Sequence, residues 1–193
     1  MTRFVRPYVP TDRAAVGEIC ILTARRTYPD PELLPAVFAY PYVDLEPELA
    51  FVLDDGGTAV GYVLGTADTA TFAHRFRTEW LPVVAHRFPD PPHPQTMADE
   101  LAEQLHRPER LVRPELATWP AHLHIDLLPA AQGGGYGRLL MTTFLAALAA
   151  AGVPGVHLGV AADNTGAIAF YERLGFHHIA AELSGGRLMG RAP

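Results

Sequence analysis

One stretch constrains the fold more than any other: "AHLHIDLL" (121–128), a proline at 129, "QGGGYGR" (132–138), and an apolar run closed by Gly152. It reads as a strand stopped by proline, a glycine-rich turn and a helix. Such a junction gathers unpartnered helical amides at one point, and the helix dipole favours negative charge there. Glycine gives up more backbone freedom on folding than other residues, so Gly133, Gly134, Gly135 and Gly137 need a reason. A phosphate approached closely by bare backbone supplies one. Two common nucleotide readings fail on spacing or composition. A G-x-G-x-x-G frame puts Arg138 or Leu140 where its last glycine belongs, and a phosphate loop needs lysine, whereas all 15 basic residues are arginine. The same absence excludes Schiff-base and kinase-type lysine chemistry.

The rest of the chain alternates similar units. A first strand falls near 3–9 and a helix over 11–26, with Thr11 or Asp12 as its cap. Prolines confine 27–49 to short helical pieces, and 50–68 forms a hairpin around Asp-Gly-Gly. Within 69–120, Phe72, Phe76 and Trp80 make a helical stripe ending near Pro82, and Ala98, Leu101, Ala102 and Leu105 line a second helix. Strand 155–161, the helix "NTGAIAFYERLG" and two final antiparallel strands complete a mixed α/β sheet around one core. At 193 residues a single domain, 1–193, is expected.

Composition narrows function. The net charge of −6 argues against nucleic acid and suits a cationic small acceptor. No apolar run approaches a membrane span and the N-terminus lacks a secretory pattern, so a cytoplasmic protein with no membrane partner is expected. Cys20 is the only cysteine and reads as a buried structural thiol. The histidines at 74, 86, 93 and 106 do not pair at a metal-binding helical spacing with a nearby third ligand, so no metal site is expected.

Gln132, Gly135 and Gly137 form Q-x-x-G-x-G, which resembles the acetyl-coenzyme A signature [RQ]-x-x-G-x-[GA] of the GNAT superfamily of N-acetyltransferases. Downstream, Asn164, Ala167, Phe170, Tyr171, Gly175 and Phe176 resemble the superfamily's second signature, N-x-x-A-x-x-F-Y-x-x-x-G-F. The segment 68–91 is similar to a bacterial group related to the histone-acetyltransferase-like C-terminal domain of O-GlcNAcase. The resemblance implies the GNAT acyltransferase fold: a mostly antiparallel mixed sheet, splayed at the cofactor strand and flanked by helices, here with a helical insert at about 69–120.

It implies further that pantetheine lies in the splay against backbone groups of Leu127 and Leu128, and that the pyrophosphate sits on the amides of Gly133, Gly134, Gly135, Tyr136, Gly137 and Arg138. Gly135 and Gly137 are the signature positions, while the pattern leaves Gly133 and Gly134 free. Gln132, Asn164, Ala167, Phe170 and Tyr171 complete the cofactor set, with Asn164 also a helix cap. The Tyr171 phenol suits protonation of a departing thiolate. Asp126 or His124, on one strand face, suits the base that takes the ammonium proton, directly or through water. The expected activity is transfer of acetyl from acetyl-CoA to a small-molecule or peptide amine by direct attack, in a monomer or homodimer. A CoA-binding module without transferase activity is the alternative.

Overall fold

The structure, a computed structural model, describes residues 3–183 and 185–193. Extended backbone sends successive side chains to opposite faces, and the strand Ala50–Asp55 (β2) shows the consequence. Ala50 and Val52 enter one apolar cluster, Phe51 and Leu53 another. The remaining strands are Phe4–Pro7 (β1), Thr58–Thr66 (β3), Ala121–Leu127 (β4), Val156–Ala161 (β5), His177–Leu183 (β6) and Gly186–Arg191 (β7). They form a seven-stranded sheet in the order β1-β2-β3-β4-β5-β7-β6. Pairing is antiparallel throughout except between β4 and β5.

Helices cover both faces. Arg13–Thr23 (α1), Leu33–Phe38 (α2), Tyr40–Leu45 (α3), Thr69–Arg75 (α4), Leu81–Val84 (α5) and Met97–His106 (α6) lie on one side. Their Val16, Ile19, Phe72 and Leu105, with Trp80 between α4 and α5, pack with Tyr62 and Leu64 of β3. Tyr136–Ala150 (α7) and Thr165–Glu172 (α8) lie on the other side, where Leu140, Phe144 and Leu148 repeat every fourth residue and are fully buried. At about 1.5–3 kcal/mol per buried side chain, that stripe fixes α7 on the sheet and with it the helix N-terminus after β4. Among the described residues no helix is long and apolar enough to cross a membrane.

Two boundaries differ from the sequence reading. Residues Pro10–Asp12 form a 3-10 turn, Asp12 takes the cap position of α1, and that helix ends at Thr23 rather than at 26. Asp12 makes no capping bond to α1 because Arg6 holds its carboxylate at 2.6 and 2.9 Å. The helix of the aromatic stripe passes through Pro82 rather than ending there. A π-helical turn, Phe76–Trp80, precedes it, and Pro82 is the second residue of α5. Phe72, Phe76 and Trp80 are buried core residues, as the stripe predicts.

Candidate active site

The parallel pair β4–β5 holds only briefly. Its register runs Ala121↔Val156 and His122↔His157 and then stops, and β4 turns from buried to half-buried at His124. On its other side β4 stays paired with β3 through Gly61↔Leu127. Backbone groups point alternately to the two sides of a strand. The Ala121 amide bonds Gly155 O in the β5 direction and the Leu128 amide bonds Val60 O in the β3 direction, so the backbone of Ile125 and Leu127 faces the gap.

Leu128 therefore drops out of the expected cofactor set. Its amide donates to Val60 O at 3.0 Å and its carbonyl accepts from Ala131 at 2.8 Å. Leu127 stays, with its carbonyl already accepting from Gln132 Nε2 at 2.9 Å. That bond ties the signature glutamine to the end of β4.

Beyond Gln132, Gly133 and Gly135 adopt φ of +80° and +79°, a left-handed conformation that side chains with a β-carbon resist. The sequence pattern leaves position 133 free, but the turn requires glycine there as much as at 135. Gly135 is the cap residue of α7, with no side-chain capping bond, and the first amides of α7 follow it. These groups open into a cleft of about 780 Å³ together with Arg138, Asn164, Ala167, Phe170 and Tyr171. Gly134 and Tyr136 do not line it. The Tyr136 ring lies beside Gly134 and under Arg3, so position 136 offers the cleft no side chain. Asn164 Oδ1 accepts from the Ala167 amide at 3.3 Å and caps α8. The unpaired strand backbone, glycine turn and free amides fit an extended ligand with an anionic end.

A second cleft, of about 700 Å³, meets the first at Thr23 and Asp126. Asp126 lies opposite Tyr62 in the β3–β4 register and accepts from its hydroxyl at 2.7 Å. Burial pushes the Asp126 carboxyl up to about 6, against the opposing Tyr62 bond. His124 lines the second cleft too, but burial pulls it down to about 4. Hydrogen bonding fixes its tautomer. Thr69 donates its hydroxyl proton to Pro120 O at 2.6 Å and so accepts from His122 Nδ1. His122 Nε2 then accepts from Tyr42, whose oxygen accepts from His124 Nε2 at 3.1 Å. Tyr171, across the first cleft, is raised above its ordinary range by burial and by the charge of Asp126. Cys20 is buried beside these groups, and burial pushes its thiol up to about 12.

Residues 19–176 match the model of the acetyltransferase (GNAT) family. The chain belongs to that family. A solved structure, SsHAT, is 56% identical with a TM-score of 0.96, covering 100% of this GNAT chain and 98% of that one. The protein O-GlcNAcase of Rattus norvegicus is 28% identical over 189 residues, 91% of this chain and 20% of its own length. The mycothiol acetyltransferase of Gordonia bronchialis is 52% identical over 62 residues, 32% of this chain and 20% of its own. The GNAT chain thus spans about a fifth of the length of these curated relatives. Family membership carries acetyl-CoA-dependent acetylation in general terms and leaves the acceptor open.

Three residues at the clefts escaped the sequence reading. Tyr62 reaches Asp126 through cross-strand register, Thr23 through the packing of α1 on the sheet, and Ile125 through the alternation of backbone direction along β4. Only Ile125 left a signal, because strand periodicity pairs it with Leu127 rather than Leu128.

Proposed function

We propose that this protein is an N-acetyltransferase in which an amine entering the second cleft attacks an acetyl thioester held in the first. The observation that carries this reading is the position of Asp126, which lines both clefts where they meet. Bound acetyl-CoA supplies the acetyl group in activated thioester form. Ile125 and Leu127 hold its pantetheine arm through their gap-facing backbone, and the amides from Gly133 to Arg138 hold its phosphates.

Asp126 takes the proton released as the amine becomes an amide. With its carboxyl near 6 it is ionised at neutral pH yet more basic than an ordinary carboxylate. His124, lowered to about 4, is the weaker base, and its ring instead orients the wall of the amine cleft through Tyr42. Tyr171 keeps its proton at working pH and gives it from Oη to the departing sulfur. Direct transfer gains chiefly from alignment of the two clefts. Cys20, buried and protonated, is left out of the chemistry.

Calorimetry with acetyl-CoA, joined to a screen for CoA release across varied amines, tests this. Binding with amine-dependent release is expected. Binding without release for any amine supports a non-transferring CoA module instead, and absence of binding defeats both.

A further inference from the structure

The acceptor side does not end at the second cleft. A third cavity, of about 540 Å³, shares Phe38, His124, Gly159 and Ala161 with it. β4 orders the three spaces: His122–His124 line the third, His124 and Asp126 the second, Ile125–Leu127 the cofactor cleft. One trench therefore runs along the splay from the glycine turn, past Asp126, to the far cavity. At that far end stands Arg110, on the 3-10 turn Pro108–Leu111 that follows α6.

Arg110 differs from the other arginines of the second cleft and the third cavity. Arg25 is held by Asp163 at 2.6 and 2.9 Å, and Arg113 by Glu115 at 3.3 Å. Arg26 reaches the Met97 sulfur. The Arg110 side chain makes one weak bond, from Nε to Gln104 O at 3.4 Å, and no carboxylate among the described residues pairs with it. Arg110 is an exposed residue that lines the cavity, while burial of its charged end by surrounding protein lowers its pKa. Between Asp126 and Arg110 the rings of Phe38 and His124 pack against each other, centroids 5.5 Å apart, and form a wall common to the second cleft and the third cavity. With His124 neutral, that wall suits methylene groups lying along it rather than charge.

We infer that the acetyl acceptor is an ω-amino carboxylate, whose amine reaches Asp126 and whose carboxylate pairs with Arg110. This rests on the transferase reading above. It reverses the expectation from net charge: a chain of −6 keeps an unpaired cation where the acceptor's far end lies. An arginine fork matches a carboxylate in two parallel bonds, and one unpaired arginine suits a monoanion. Two strand residues span about 7 Å, the step from Asp126 to His124, and Arg110 lies past His124. An α-amino acid cannot bridge that distance with its own amine and carboxylate, whereas a chain of several methylenes can. The inference also gives the 69–120 segment a task, since it supplies Arg110.

Rates of CoA release, and equilibrium binding to the CoA-loaded protein, test it with ε-aminocaproate, hexylamine and hexamethylenediamine as probes. ε-Aminocaproate should exceed both others in kcat/KM by about tenfold or more, the worth of a charge-assisted pair. Arg110→Gln should raise its KM to the hexylamine level with kcat and acetyl-CoA affinity kept, and Arg110→Lys should recover part of the loss. Thermal unfolding of both variants separates lost folding from lost recognition. Equal use of the three amines by the native protein overturns the inference. So does a preference that survives Arg110→Gln, or one abolished by Arg26→Gln instead. Arg110-dependent binding of ε-aminocaproate without acetylation upholds this subsite and defeats the transferase reading, and no binding with no turnover defeats the subsite.

Discussion

Tyr62, fully buried on β3, donates its hydroxyl to Asp126 Oδ2 at 2.7 Å and so holds down a carboxyl that burial pushes up to about 6. A base works only when ionised, so amine-dependent kcat/KM should rise with pH through an acidic limb near that value. Tyr62→Phe removes the bond that favours the carboxylate, and the limb should move to higher pH by up to about one unit. A pH–rate profile of CoA release in both proteins checks this. An unmoved limb would assign it to another group.

Tyr171→Phe removes the proton proposed for the departing sulfur and keeps the ring against Phe170 and Phe176. Turnover should fall about 10²-fold or more, while the dissociation constant of acetyl-CoA changes little. Steady-state kinetics with a parallel binding titration separate the effects. Unchanged turnover would remove Tyr171 from the acid role.

The glycine turn makes a different demand. Gly133→Ala and Gly135→Ala each force a β-carbon into a left-handed conformation, at a cost of about 1–2 kcal/mol. Both should lower the melting temperature and weaken acetyl-CoA binding to a similar degree. Gly137→Ala should cost less backbone strain, since only the Phe170 ring, 3.3 Å from the new β-carbon, must give. Free tolerance of Gly133→Ala would contradict the turn geometry.

These positions mark what a sequence discloses. Gln132, Gly135 and Asn164 were legible because local backbone chemistry at a helix start dictates residue type over a few positions. Phe72, Phe76 and Trp80 were legible as core because helical spacing repeats. Tyr62, Thr23 and Arg110 were not. Each acts across strand register or helix packing, and no local period encodes which distant residue it meets. Leu128 was misassigned for want of one fact, the side of β4 that pairs with β3. The left-handed φ of Gly133 was likewise hidden, because a run of glycines does not say which of them turns.

Acid should loosen the fold from β4 and its neighbour β5. Burial lowers His122, His124 and His157 below the ordinary 6.5, His124 to about 4, so the unfolded chain binds protons that the folded one refuses. Their contribution is present above that value and is lost as pH falls below it. Asp126, raised from 3.8 to about 6, has the opposite sign, since it takes up a proton when folded before it does when unfolded. The melting temperature should therefore fall between about pH 7 and about pH 5, and fall more steeply in Asp126→Asn, which loses the opposing group. At neutral pH that variant sheds a buried charge and should gain stability on the order of 1 kcal/mol. Thermal scans across this range would count against the assignment if the two slopes coincide.

Asp126→Asn also bears most directly on the chemistry, since Asp126 is the residue where the two clefts meet. The decisive measurement is amine-dependent CoA release at saturating acetyl-CoA, with acetyl-CoA affinity measured alongside, in the native protein and this variant. A loss of about 10²-fold or more in rate, with affinity retained, is expected. Full activity in Asp126→Asn would contradict the proposal that the junction of the two clefts carries the acetyl transfer.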